Sequence, residues 1–261
     1  MEWFYERYKD LTATGIHIKA LVHAERSPYQ SIHVYDTAGH GRLLTLDDMV
    51  MLTELDEFVY HDLITHLPLC IHADPRRVLV VGGGDGGSVR EVLKHPGVES
   101  VVLCEIDERV TRVCQEHIPS VAGALDDPRV TLHFADAVDY VRAHQAAFDV
   151  IVVDSSEPEG PAAGLFRRDF FADLRRALRP GGVISAQTES PFYSAPALRA
   201  VYAELRAVFR EVHPCIGPVP TYPGGCWTWA IASDERTPAM LDRPRAAARG
   251  KARWGRRLAS L

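Results

Sequence analysis

Across the first fifty or so residues, polar and apolar side chains alternate in IHIKALVH and SIHVY, a period of two that predicts half-buried strands. The turn-rich DTAGHG then leads into two short apolar runs, RLLTL and MVML, so residues 1–52 are expected to form a small antiparallel β domain. The period changes at TELDEFVYHDLITHLP, where Thr53 and Asp56 stand three apart as in a capping box and apolar residues recur at helical spacing. A linking helix ending against Pro68 is predicted. From Val78 the runs RVLVVGGGDGG, SVVLCEID, VTLHFADA, FDVIVVDSS and GGVISAQTES are short and rich in valine and isoleucine, and helix-like stretches such as SVREVLKH and RRDFFADLRRALRP separate them. Strands alternating with helices predict an α/β domain over residues 53–234, linking helix included, with a doubly wound parallel sheet covered on both faces. CWTWAIASD, after the loop VPTYPGG, reads as one more strand. Residues 235–261 leave this pattern for a basic, Ala/Arg-rich tail, expected to be solvated or partly helical.

Composition narrows the function classes. A chain of 261 residues with 46% hydrophobic content can bury a full core, and its net charge of -6 offers no overall attraction to nucleic acid or acidic lipid. No apolar run approaches the ~20 residues of a membrane span, and MEWFYERYKD lacks the basic-then-apolar order of a signal peptide. Five cysteines without a CxxC pair suit small core residues in a reducing compartment, so a cytoplasmic location is expected. His61 and His66 are five apart, which misses the i, i+4 spacing of a helical metal pair, and no metal is expected.

In an open α/β sheet, ligands bind outside the carboxyl ends of the strands. Those ends are acidic here: Asp85 lies in the glycine loop, Glu105 closes the second run, Asp136 follows the third and Asp154 ends the fourth. Any one of them could be an ordinary helix cap, but four together point to one shared crevice. GGGDGG by itself is a weak signal. Glu105, about 20 residues beyond it, stands where an acid accepts ribose hydroxyls. Asp85 would repel a dinucleotide pyrophosphate, and it would also repel the carboxylate of intact S-adenosylmethionine. It would attract the aminopropyl ammonium of the decarboxylated cofactor.

The run VLVVGGGDGGSVREVLKHPGVESVVLCEID, with TELDEFVYHD before it and DSSEPEGP and VPTYPGG after it, closely resembles the spermidine synthase family of polyamine aminopropyltransferases, with the motifs in family order from Trp3 to about Asp234. The resemblance implies an AdoMet-type, Rossmann-like fold with a small N-terminal β domain, and a homodimer or homotetramer. It implies that Gln30, Glu105, Asp136 and Ala137 hold the methylthioadenosine part, with Pro161 packed beside it. By the same resemblance His61, Asp85, Asp154 and Glu157 surround the aminopropyl and polyamine chain, Tyr60, Gln187 and Tyr222 line the pocket, and Asp154 is the catalytic proton acceptor. A tryptophan such as Trp3 commonly contacts the polyamine pocket in the family. Asp62 and Glu157 depart from the commoner glutamate and aspartate at their positions, and the family's closing segment is replaced by the basic tail.

Two acids in VVDSSEPEGP fit the two needs of a diamine acceptor. Putrescine is a dication in water, its amines having pKa values near the ~10.4 of lysine, so the site must neutralise charge and take a proton from the attacking nitrogen. The expected activity is transfer of the aminopropyl group of decarboxylated S-adenosylmethionine to putrescine, giving spermidine and methylthioadenosine. Agmatine, cadaverine and spermidine stay open as acceptors, and a methyltransferase and a non-catalytic polyamine-binding regulator stay open as other classes.

Overall fold

The computed structural model describes residues 2–157 and 160–247. The N-terminal unit is a five-stranded antiparallel sheet, β1 (Glu2–Tyr8), β2 (Thr12–Arg26), β3 (Ser31–Thr37), β4 (Arg42–Leu46) and β5 (Met49–Thr53), paired in chain order. The alternation places Ile16 and Ile18 of β2 and Ile32 and Val34 of β3 inward. β4 and β5 are joined through Asp47 and Asp48, both at positive φ (47° and 63°), the requirement of a two-residue hairpin whose twist matches that of the strands.

Helix α1 (Glu57–Ile71) links the two units. Its start is tied down twice: Thr53 Oγ1 donates to Asp56 Oδ1 at 2.7 Å, and Asp56 Oδ2 accepts the Thr221 N–H at 2.9 Å, drawing in the VPTYPGG loop. The helix does not stop at Pro68 but carries it inside for three more residues. An internal proline costs about 3 kcal/mol, whereas burying a Leu or Ile side chain yields ~1.5–3 kcal/mol each, and Leu69 and Ile71 are both buried beyond it.

The larger unit runs β6 (Arg77–Gly82), α2 (Gly87–Leu93), β7 (Ser100–Glu105), α3 (Glu108–His117), α4 (Pro119–Ala122), β8 (Val130–Phe134), α5 (Ala137–Arg142), β9 (Phe148–Asp154), α6 (Arg168–Ala177), β10 (Leu178–Gln187), α7 (Ala195–Val208), β11 (Glu211–Pro218) and β12 (Cys226–Ser233). The strands form one seven-stranded Rossmann-like sheet in the order β11-β12-β10-β9-β6-β7-β8. The five strands from β8 to β10 are parallel, as expected; β12 is antiparallel to both β10 and β11. The short VPTYPGG connection explains the difference, because a hairpin must reverse direction where a helical crossover would preserve it. On β6, Val78 and Val80 face a core shared with α1 and the N-terminal sheet, while Leu79 and Val81 face a second core under α6 and α7. Cys104 and Cys114 are buried in these cores, Cys70 is buried as well, and none of the five cysteines forms a disulfide.

β6 lies between β7 and β9, so the chain winds away from it on both sides and leaves a crevice at its carboxyl end. No helix among the described residues is long and apolar enough to cross a membrane. Of the basic tail, residues 248–261 lie outside the described residues; before them the chain makes a turn at Pro238–Met240 and a short helical segment over 243–247.

Candidate active site

The crevice is a cavity whose floor is the glycine loop after β6. Gly82 (φ 71°) pairs with Asp154, and a Cβ there would lie 2.4 Å from the Asp154 carbonyl oxygen, so only glycine lets the two strand ends come this close. Of the twelve residues expected at the site, Gln30, Tyr60, His61, Asp85, Glu105, Asp136, Ala137, Asp154 and Tyr222 all line this one cavity.

At one end the polar groups are held by backbone. Glu105 accepts the Gly84 N–H at 3.1 Å and the Asp107 N–H at 2.9 Å; burial outweighs these bonds and pushes its pKa up to about 7. Asp136 caps α5, its Oδ1 accepting the Val138 N–H at 2.8 Å, so it serves as helix cap and cavity wall at once. Ala137 follows it, small enough to leave the wall open. Asp107 caps α3 and its other oxygen takes Ser27 Oγ at 2.6 Å and Gln30 Nε2 at 3.0 Å, which brings Gln30 from the N-terminal sheet to the rim.

At the other end the acids are held mainly by side chains. Asp154 is buried, with Tyr60 OH donating to Oδ1 at 2.8 Å and Ser88 Oγ to Oδ2 at 2.6 Å. Burial raises its pKa; the His61 charge opposes this and the Asp85 charge adds to it. Asp85 Oδ1 accepts the Gly87 N–H at 2.7 Å and lies 3.3 Å from His61 Nε2. Burial would raise the Asp85 carboxyl, yet the His61 charge and hydrogen bond prevail and hold it below its ordinary range. Tyr60 and Tyr222, with ring centroids 5.8 Å apart, wall this end, and Tyr222 OH is anchored to the Met51 carbonyl at 2.6 Å.

The structure places the remaining expectations elsewhere. Gln187 does not line the cavity: its Nε2 donates to the Ser156 carbonyl at 3.0 Å and its Oε1 accepts from Trp227 Nε1 at 3.1 Å, so it braces the loop that follows Asp154. Glu157 also lies off the lining, half-buried near Glu6. Trp3 is 52% exposed and stacks on His17 at 5.3 Å, off the cavity lining. The backbone of Pro161 begins a turn spanning Gly160–Phe166, but its side chain lies outside the described residues; Ala162 and Leu165 of that turn line the cavity. His61 and His66 part company, His61 facing Asp85 and His66 facing Glu91 at 3.2 Å.

Four contributors were not foreseen. Ser88 follows the glycine loop and Glu57 opens α1, and neither position looks unusual in sequence. Glu6 is 3% exposed on β1, its Oε2 has no hydrogen-bond partner among the described residues, and burial together with Glu157 pushes its pKa up to about 8. Glu189, fully buried at φ 87°, accepts Tyr8 OH at 2.8 Å on one oxygen and has no partner for the other among the described residues. The alternation in EWFYERY, with an acid on the inward face, is the one signal that could have flagged Glu6.

Two family models match in succession: the spermidine synthase tetramerisation domain over residues 2–54 and the spermine/spermidine synthase domain over residues 57–242. A polyamine aminopropyltransferase of Thermoanaerobacter sp. (strain X514) is 46% identical over 244 residues, covering 92% of this chain and 87% of the relative. The polyamine aminopropyltransferase of Moorella thermoacetica is 43% identical over 240 residues, covering 92% and 85%. Among solved structures, a spermidine synthase in complex with the transition state analogue AdoDATO superposes with a TM-score of 0.92 at 34% identity, covering 94% of this chain and 84% of that one. Spermidine synthase from Thermotoga maritima gives 0.91 at the same identity and coverage. With both models matched in order across nearly the whole chain, on a fold shared with these structures, the protein is an enzyme of the spermine/spermidine synthase family of polyamine aminopropyltransferases.

Proposed function

We propose that the enzyme transfers the aminopropyl group of decarboxylated S-adenosylmethionine to putrescine, releasing spermidine and methylthioadenosine. The observation that carries this reading is Asp154: a buried carboxylate with raised pKa, oriented by Tyr60 and Ser88, at the point where the glycine loop and β9 meet. Such a group is suited to accept a proton from an amine. In the reaction the freed amine nitrogen forms a bond to the methylene beside the sulfonium, and the C–S bond breaks. Its electron pair neutralises the sulfur, the product leaves as a thioether, and the amine's proton goes to Asp154. The leaving sulfur already carries positive charge, so the residues' main task is to hold both reactants in line, a contribution of roughly 7–11 kcal/mol.

Glu105 would take the ribose hydroxyls, Asp136 the adenine amino group and Gln30 the outer edge of the nucleoside, with Ala137 and Pro161 beside the ring. Asp85 would draw in the aminopropyl ammonium. Glu6, Glu157 and Glu189 form a second acidic group around Tyr8, and Glu6 Oε2 and Glu189 Oε1 have no hydrogen-bond partner among the described residues, which supports an acceptor charged at both ends. Gln187 would shape this end indirectly, by bracing the 155–157 loop. The structure neighbour's AdoDATO ligand and the relatives' names support the same donor chemistry. The N-terminal sheet, matched by a tetramerisation domain, supports assembly into a homodimer or homotetramer.

Asp154→Asn tests the reading. It should lower kcat by about 10²–10⁴-fold while methylthioadenosine binding, followed by calorimetry, stays within about twofold. Near-normal transfer would remove Asp154 from the reaction. Incubation with putrescine, agmatine, cadaverine and spermidine together, with mass analysis of products, decides the acceptor. Stronger thermal stabilisation by intact S-adenosylmethionine than by its decarboxylated form would favour a methyltransferase instead.

A further inference from the structure

Glu57 stands at the start of α1, where an acid ordinarily does no more than complement the helix dipole. Its carboxylate is instead turned inward and 7% exposed. Oε2 lies 2.7 Å from His61 Nδ1, one helical turn on, and 2.7 Å from Arg90 Nη2 of α2. The line continues through the imidazole, whose Nε2 is 3.3 Å from Asp85 Oδ1 and 4.0 Å from Asp154 Oδ2. The ring has little room to turn: a Cβ at Gly87 would lie 2.3 Å from its Cε1, and Tyr60 meets it edge-on at 5.4 Å between centroids. With a carboxylate at each nitrogen, both nitrogens donate, and an imidazole that donates twice carries a positive charge.

We propose that Glu57, steadied by Arg90, is a positioning residue for the transfer reaction, holding His61 as a fixed cation between Asp85 and Asp154 so that Asp154 stays unprotonated until the acceptor amine delivers its proton. The proposal rests on the aminopropyl-transfer reading above. Its physical basis is the closeness of Asp85 and Asp154. A buried and a half-buried carboxylate around one small space would share a proton unless a cation stood between them, and a protonated Asp154 could accept nothing from the amine. The groups facing His61 are Glu57 on its own helix, Asp85 from the glycine loop and Asp154 from β9; Arg90 acts on it through Glu57 and is shared with Glu91 at 2.8 Å. Tyr60 presents its ring, its hydroxyl being given to Asp154.

The protonation tendencies agree with this geometry. Burial would lower His61, but the charges and hydrogen bonds of Asp85 and Glu57 prevail and raise it well above its ordinary value. Burial would raise Glu57, but His61 and Arg90 bring it down to about 2.

Glu57→Gln keeps the side chain's shape and a hydrogen-bond acceptor for Nδ1 while removing the charge. In the full-length wild-type enzyme, both His61 ring nitrogens should show protonated ¹⁵N shifts at neutral pH; in the variant the ring should titrate near neutrality. The variant's kcat should fall roughly 10- to 100-fold, with the donor KM within about twofold. The acidic limb of its kcat/KM profile should move up by about one pH unit. Because Glu57 acts through His61, the double variant with His61→Gln should be no slower than His61→Gln alone, within about twofold. An imidazolium that persists in Glu57→Gln, or a double variant slowed by the product of the two single effects, overturns the proposal. Should Glu57→Gln not fold, Arg90→Gln serves: a smaller fall in kcat with the same upward movement of the acidic limb supports the clamp, and an unmoved limb counts against it. If the wild type transfers no aminopropyl group, the functional reading fails, while the His61 shifts still judge the clamp.

Discussion

The two ends of the cavity solve the problem of a buried acid in different ways. Glu105 and Asp136 take their hydrogen bonds from backbone N–H groups at the starts of turns and helices, whereas Asp154 takes its bonds from the Tyr60 and Ser88 hydroxyls and Asp85 adds the His61 ring to its one backbone N–H. A backbone N–H has one fixed direction and never titrates at these pH values, so it makes a rigid recognition surface. Hydroxyls reorient and a fixed imidazolium balances neighbouring acids, so partners of that kind let a carboxylate change its protonation state without leaving a buried orphan. On the proposed function, the contrast fits recognition at the first end and proton movement at the second, and it can be broken by substitutions that act on the wrong kinetic constant.

The largest of these effects is expected at the recognition end. Glu105→Gln removes the charge that would meet two ribose hydroxyls, an interaction of the charged type worth about 1.5–3 kcal/mol. The donor KM should rise about 10- to 100-fold with kcat nearly unchanged, as for a contact made equally in ground and transition states. Steady-state kinetics with varied decarboxylated S-adenosylmethionine reads this directly. A loss confined to kcat would show that Glu105 takes part in the chemistry and would dissolve the division between the two ends.

At the other end Ser88→Ala should do the reverse on a smaller scale. It removes one neutral hydrogen bond of about 0.5–1.5 kcal/mol from Asp154 Oδ2, so kcat should fall about 2- to 10-fold with the donor KM unchanged. The sign of the pH effect follows from the bond's role. Ser88 stabilises the ionised carboxylate and lowers a pKa that burial has raised, so its loss raises that pKa further and the acidic limb of the rate profile should move to higher pH. A limb that moves down, or a change in donor KM alone, would contradict the assignment.

The acids at both ends were legible in the sequence, and the reason is geometric. A strand's period places its last residue at the rim of the sheet, so Glu105, Asp136 and Asp154 could be located from apolar runs alone, and the glycine loop located Asp85. The partners of the chemical end come from far along the chain: Tyr60 is 94 residues from Asp154 and Ser88 is 66. No local pattern encodes such pairings. Gln187 was misplaced for the related reason that a strand-end residue can turn behind the rim as well as over it; here Trp227 and the Ser156 carbonyl hold it behind. Pro68 misled because helix propensity was weighed without the burial of Leu69 and Ile71.

Glu6 gives the smallest effect and the sharpest test of the second acidic group, because its Oε2 is buried with no hydrogen-bond partner among the described residues. Its pKa rises from the ordinary 4.5 to about 8, through burial first and the Glu157 charge second. Below pH 4.5 it is protonated in both folded and unfolded chains and has no effect on pH dependence. Between 4.5 and about 8 the folded chain keeps a proton that the unfolded chain has lost, so stability falls as pH rises across that window. Glu6→Gln should therefore raise Tm more at pH 8 than at pH 5, and the slope of Tm against pH should flatten between those values. An acceptor ammonium bound beside Glu6 would reverse the balance by favouring the charged form, and putrescine binding should release a proton from the wild type that the variant does not release. Calorimetry in buffers of different ionisation enthalpy measures that proton; equal release by both proteins would place the acceptor's far nitrogen somewhere other than this cluster.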